Sequence, residues 1–249
     1  MKHLGGIFDD RHLSSDKHAY SLMDANFTSS RATTSDRLEA FSRFATKRSI
    51  ARFLAKEKIF QEVLHINGSI IECGVFNGAG LFAWAQFSSI FEPVNHSRKI
   101  IGFDTFAGFP SVAAEDGDTN KAGDLFGDSV EAMQKSIELY DSNRPVSHIP
   151  KVQLVAGDFM LTAEKYLQEN PHLLVALLYL DFDLYEPTKK ALEVFIPRMP
   201  KGAIIAFDEL NCQNFPGETL ALLESLDINK QRLMRSEIDP WISYFKLND

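Results

Sequence analysis

The sequence predicts an α/β fold: a mostly parallel, doubly wound sheet closed by a C-terminal antiparallel hairpin. Five short apolar runs, at 69–73, 99–103, 152–156, 174–180 and 203–207, are separated by stretches with helical spacing. Strands that alternate with helices build parallel sheets. Several of these runs are apolar without alternation, as strands covered on both faces are. The last two runs, 232–235 and 241–247, are strand-like with no long helix between them, which fits an antiparallel pair at the sheet edge.

The intervening helices are expected at 79–90, 128–140, 162–168, 187–195 and 217–226. Upstream, Leu38, Phe41, Phe44 and Ala45, then Ile50, Phe53, Leu54 and Phe60, recur at helical spacing, so 36–66 reads as helical. Asn67-Gly68 then breaks the chain. This divides it into an N-terminal arm with helices, 1–66, serving as a lid or in oligomerisation, and an α/β domain over 67–249. Residues 1–35 are polar and rich in Ser, Asp and His, and read as a poorly ordered arm or a substrate-side lid. Residues 104–127 form a long insert with Gly, Asp and Pro, placed after a strand and therefore at the ligand end of the sheet.

Composition narrows the function. The chain has 249 residues, 45% of them hydrophobic, enough for a sizeable core. A net charge of −8 with no dense Lys/Arg run argues against nucleic acid as a partner. The two cysteines, Cys73 and Cys212, form neither a CxxC pair nor a metal-ligand array, and suit a reducing compartment. No apolar run reaches the ~20 residues of a membrane span. The first ten residues lack an apolar signal core, so a cytoplasmic location is expected.

The strongest local signal is Glu72-Cys73-Gly74-Val75-Phe76-Asn77-Gly78-Ala79-Gly80, which leaves the first strand and enters the first helix of the domain. Glycines let the backbone turn tightly and approach a ligand, and the amides at a helix start suit a carboxylate. The spacing is E-x-G-x-x-x-G-x-G, whereas a dinucleotide site wants G-x-G-x-x-G. It is similar to the class I S-adenosylmethionine-dependent methyltransferases. Asp104 ends the second strand, where both folds place a ribose-binding carboxylate. After the third strand, Asp158 and Phe159 stand where such an enzyme faces the adenine; Asp158 equally suits a helix N-cap.

The far strands end in acids. The fourth runs into Asp181-Phe182-Asp183-Leu184-Tyr185-Glu186, the fifth into Asp208-Glu209. With these strands adjacent, four carboxylates meet at the binding edge and repel one another unless a cation or shared protons intervene. Oxygen-only donors suit a hard cation such as Mg²⁺ or Ca²⁺ rather than zinc. The alternatives are that Asp183 or Glu186 caps the following helix and that Glu209 is solvated. His148 and His172 read as surface loop residues, and Trp241, Tyr244 and Phe245 as packing of the final strand.

Four segments carry a closer resemblance: ECGVFNGAG at 72–80, GFDTFAGFP at 102–110, LDFDLYEPT at 180–188 and IIAFDELN at 204–211. Over residues 69–223 the chain resembles the macrocin O-methyltransferase family of sugar O-methyltransferases from antibiotic biosynthesis. The second and fourth segments look closest to the branch that methylates a dTDP-linked 6-deoxyhexose, the calicheamicin-type dTDP-rhamnose 3-O-methyltransferases. The resemblance implies a methyltransferase domain over 67–249 that uses S-adenosyl-L-methionine, with Glu72, Gly74, Gly78, Asp104, Thr105, Asp158, Phe159 and Asp181 at the cofactor. It implies Mg²⁺, with Ca²⁺ or Mn²⁺ as alternatives, held by Asp181, Asp208 and Glu209, the last standing where several relatives have Asp. Asp183 falls on the general-base position. The acceptor implied is a sugar or nucleotide sugar, and the assembly a homo-oligomer. The competing acceptor is a catechol-like phenol, whose vicinal oxygens suit the same metal. A nicotinamide oxidoreductase fits the glycine spacing poorly, and a non-catalytic binding module fits the full acid set poorly.

Overall fold

The computed structural model describes residues 14–248. The elements follow in chain order: α1 (Ser14–Ser29), α2 (Thr34–Glu39), α3 (Phe41–Phe44), α4 (Lys47–Val63), β1 (Ser69–Cys73), α5 (Ala79–Phe91), β2 (Ile100–Asp104), α6 (Val130–Ser142), β3 (Val152–Ala156), α7 (Phe159–Glu169), β4 (Val175–Leu180), α8 (Tyr185–Phe195), β5 (Ile204–Phe207), α9 (Gly217–Ser225), β6 (Met234–Arg235) and β7 (Ser243–Lys246). One seven-stranded sheet has the order β3-β2-β1-β4-β5-β7-β6. The first five strands in that order pair in parallel; β7 runs antiparallel to both β5 and β6. The expected fold class and closing hairpin are both present.

Strand pleating explains the unalternated apolar runs. Ile70, Ile100, Leu177, Tyr179 and Ile204 enter one core, packed against Phe60 of α4, Trp84 of α5 and Ile137 of α6. Their neighbours Ile71, Ile101, Leu178, Leu180 and Ile205 enter the other core, against Phe159 of α7 and Phe195 of α8. Period-2 geometry sends adjacent residues to opposite faces, so a strand covered twice must be apolar throughout.

The N-terminal region differs from expectation. Residues 1–13 of the expected arm or lid lie outside the described residues, but 14–29 form α1. The expected helical stretch 36–66 is three helices, each restarted by a polar side chain or a tight turn. Thr33 and Asp36 form a capping box at α2, and Thr46 Oγ1 accepts the Ser49 N–H (2.9 Å) at α4. α4 is no detached arm: Ala55, Ile59, Phe60 and Val63 are buried in the first core. No helix among the described residues is long and apolar enough to cross a membrane.

Candidate active site

Backbone hydrogen bonds continue the parallel ladder one step past each strand. Gly157 N–H donates to Asp104 O (2.9 Å), Gly74 N–H to Phe103 O (2.9 Å), Asp181 N–H to Cys73 O (2.8 Å) and Asp208 N–H to Leu180 O (3.0 Å). Asp104, Gly74, Asp181 and Asp208 therefore stand side by side along the carboxyl edge, where open α/β sheets bind ligands. Gly74 sits at φ 90°, and a Cβ there would overlap the Asp181 carbonyl oxygen. Only glycine lets the loop after β1 lie so close to the end of β4.

Asp104 grips this loop. Its Oδ2 accepts the N–H groups of Val75 (2.7 Å) and Phe76 (2.8 Å), and its Oδ1 that of Phe106 (2.6 Å). The carboxylate expected at a ribose thus already fixes the glycine loop and the start of the insert, with further lone pairs to spare. Thr105 is similarly engaged: its hydroxyl donates to Gly108 O (2.6 Å) and accepts from Ala107 N–H (3.1 Å). Gly78 is the N-cap of α5. Asp158 caps α7 by accepting the Met160 N–H (2.9 Å).

Packing takes two expected cofactor residues into the interior. Phe159 is 4% exposed, with its ring 4.8 Å from that of Phe182 and 5.2 Å from that of Phe103. Glu72 is 1% exposed, and its Oε1 faces Lys56 Nζ at 3.5 Å. Lys56 Nζ also lies 3.7 Å from the Tyr179 ring centroid, a cation–π contact away from water. Burial pushes the Glu72 carboxyl up to about 7 although Lys56 opposes the rise.

The acid pairs meet as expected, and α4 answers them with cations. Asp208 Oδ1 accepts the Tyr179 hydroxyl (2.7 Å), and its Oδ2 pairs with Arg52 Nη1 (2.9 Å). Arg52 Nε also reaches Asp239 (3.1 Å). Burial, then Asp208, push Asp181 well above the usual carboxylate range, against the pull of Lys56 and Arg52. Burial, then Glu209 and Asp181, do the same to Asp183. Asp183 and Glu209 interact carboxyl to carboxyl, and burial raises both. Glu209 Oε2 is buried without a hydrogen-bond partner, so Glu209 is not simply solvated. Neither Asp183 nor Glu186 caps α8: its N-cap is Leu184, which makes no side-chain cap bond. Among the described residues no three His, Cys, Asp or Glu side chains form a group that could hold a metal ion. The expected ligands Asp181, Asp208 and Glu209 share an edge without forming such a centre.

Sequence reasoning missed Arg48, Arg52 and Lys56. They recur every four residues on α4 and so share one helix face. Arg48 and Arg52 act on Glu209, Arg52 and Lys56 on Asp181, and Lys56 on Glu72. The i, i+4, i+8 basic stripe was the available signal. Asp116 in the insert and Glu218 on α9, both buried, were also missed.

The sequence profile of the family described as macrocin-O-methyltransferase (TylF) matches residues 11–245. CalS11, a calicheamicin methyltransferase, superposes with a TM-score of 0.91 at 30% identity, covering 98% of this chain and 99% of that one. The apo structure of CalS11, described as a TDP-rhamnose 3'-O-methyltransferase of calicheamicin biosynthesis, gives 0.84 at 29% identity over 96% and 97% of the two chains. The O-methyltransferase NovP shares the fold, with a TM-score of 0.60 at 21% identity over 79% of each chain. The comparison with curated proteins found no match. The glycine loop and the acid-lined edge thus lie within a family match that spans nearly the whole chain, which belongs to the macrocin O-methyltransferase family and is an S-adenosylmethionine-dependent O-methyltransferase.

Proposed function

We propose that this enzyme methylates a hydroxyl of a sugar, a TDP-linked 6-deoxyhexose of the kind that a natural-product pathway attaches to its scaffold. The observation that carries the reading is the likeness to CalS11 at 30% identity over almost the full length of both chains. The acid-lined edge supports it. The acceptor oxygen attacks the methyl carbon as the carbon–sulfur bond breaks, the electron pair stays on sulfur as a neutral thioether, and the hydroxyl proton passes to Asp183. Positioning supplies much of the rate in such an in-line displacement. The cofactor's sulfonium charge would favour the ionised form of a nearby carboxylate, the form in which Asp183 can take a proton. In this reading the glycine loop with Asp104 and Asp158 receives the cofactor.

A divalent cation belongs to the same reading. The donor chemistry suits Mg²⁺, or Ca²⁺ or Mn²⁺: all-oxygen side chains, strong mutual repulsion and an orphaned Glu209 Oε2. Asp181, Asp208 and Glu209, which share this edge without forming a ready-made centre, are the residues that would have to draw together to hold it, and when bound it would lower the pKa of the acceptor hydroxyl. Arg52 neutralises Asp208 without it. The test is transfer of a labelled methyl group from S-adenosylmethionine to TDP-rhamnose with and without EDTA. We expect EDTA to lower the rate about 10²-fold or more, and added Mg²⁺ to restore it. A rate unchanged by EDTA would remove the metal and leave the sugar acceptor standing.

The N-terminal segment 1–66 serves in this account as lid and oligomer contact. Leu22, Phe27, Leu38, Phe41 and Leu54 expose apolar surface there, which supports a homo-oligomer. Light scattering is expected to give a multiple of the chain mass; a monomer mass at tens of micromolar contradicts it. We place the reaction in the cytoplasm, where the cofactor is made and where Cys73 and Cys212, both free, stay reduced. Cell fractionation checks this placement.

A further inference from the structure

The first turn of α9 supports both acid-bearing segments from behind. Glu218 is fully buried, and its Oε1 accepts the N–H groups of Phe182 (3.1 Å) and Asp183 (3.3 Å). The next residue, Thr219, accepts the Asn211 N–H through Oγ1 (2.9 Å). The residue before, Gly217, leaves room for Asp116: a Cβ there would overlap Asp116 Oδ1, which itself accepts the Tyr185 N–H at 2.6 Å. Each supported segment contains a non-glycine residue in the left-handed region, Asp183 at φ 61° and Asn211 at φ 63°. Such backbone is uncommon outside glycine, and although Asp and Asn adopt it most readily, an outside partner for its N–H groups helps to fix it.

We propose that Glu218 is a positioning residue for methyl transfer, whose carboxyl holds the backbone of Phe182 and Asp183 in the left-handed turn that orients the Asp183 side chain. The proposal rests on the reading of Asp183 as the base. Two N–H groups converge on one buried point, and an apolar side chain there would leave both without a partner. Burial, then the facing carboxylates Asp181, Glu209 and Asp208, push the Glu218 carboxyl well above its usual range. Oε1 accepts both N–H groups, while Oε2 has no protein partner. Glutamine offers the same carbonyl oxygen, whereas methionine fills a similar volume without it.

The experiment compares wild type, Glu218→Gln, Glu218→Met and Asp183→Asn. It measures steady-state methyl transfer to TDP-rhamnose and hydrogen exchange of the Phe182 and Asp183 amides. Glu218→Gln is expected to keep kcat within about threefold and amide protection unchanged, because the acceptor oxygen remains. Glu218→Met is expected to lower kcat about 10²-fold and speed amide exchange, with KM for S-adenosylmethionine within about twofold. Equal losses in the Gln and Met variants would overturn the proposal, since the acceptor oxygen would not be what matters. So would kcat and cofactor KM worsening together in Glu218→Met, which marks general structural damage. Full activity in Asp183→Asn would remove the base and with it the role of Glu218. Activity lost in Asp183→Asn but kept in Glu218→Met overturns Glu218 alone.

Discussion

Asp183→Asn is expected to lower kcat by about 10² to 10⁴-fold while S-adenosylhomocysteine binds as before. Asparagine keeps the shape of the side chain and the left-handed backbone at φ 61°, which Asn tolerates well. It loses the oxygen proposed to take the hydroxyl proton. Isothermal calorimetry with S-adenosylhomocysteine and single-turnover transfer together separate binding from chemistry. An unchanged rate would move the base elsewhere, with Glu209 the next candidate at this edge. A lost affinity would instead assign Asp183 to the cofactor.

Lys56→Met is expected to produce the largest loss of stability. Lys56 and Glu72 are both almost fully buried and face each other at 3.5 Å. Removing one member of a buried pair strands the other, at a cost of about 3–5 kcal/mol. For a chain of this size that is a fall in Tm of roughly 6–20 °C. Removing both members, in Lys56→Met/Glu72→Gln, is expected to recover most of the loss, because no buried charge remains. The pair also sets a pH dependence. Glu72 titrates near 7 when folded against 4.5 for a free glutamate. Between those values the folded protein holds a proton that the unfolded chain has released. Its stabilising contribution is therefore complete below about pH 4.5, falls as pH rises to about 7, and totals about 3 kcal/mol. Thermal melts from pH 5 to 8 check this by difference: Glu72→Gln should lack that share of the slope. Parallel curves for the two proteins contradict the assignment.

What the sequence disclosed divides along a physical line. Strand ends are local features, and parallel pairing then fixes which of them are neighbours. The row of Asp104, Gly74, Asp181 and Asp208 is therefore legible in the residues themselves. The hairpin of β6 and β7 followed from the absence of an intervening helix. Contacts between distant elements were not legible in the same way. Arg48, Arg52 and Lys56 form a visible stripe, but nothing local says that α4 turns it toward the acids. Glu218 lies 35 residues from the Asp183 amide it holds, and Asp116 lies 69 residues from that of Tyr185. Phe159 was placed at the adenine by its position after β3, but the apolar surface of Phe103, Phe182 and Phe195 claims its ring. At the N-terminus, polar composition suggested an arm without order, yet 14–29 is helical, consistent with serine, aspartate and alanine being permitted in helices though not all favoured.

The central claim is methyl transfer to a sugar hydroxyl. The most direct test is a single assay with labelled S-adenosylmethionine over a panel of TDP-sugars and catechols, with the methylated product identified by mass and NMR. The account predicts transfer to a TDP-6-deoxyhexose, one methyl group per sugar on an oxygen, and none to the catechols. Transfer to catechols with every TDP-sugar untouched would contradict it.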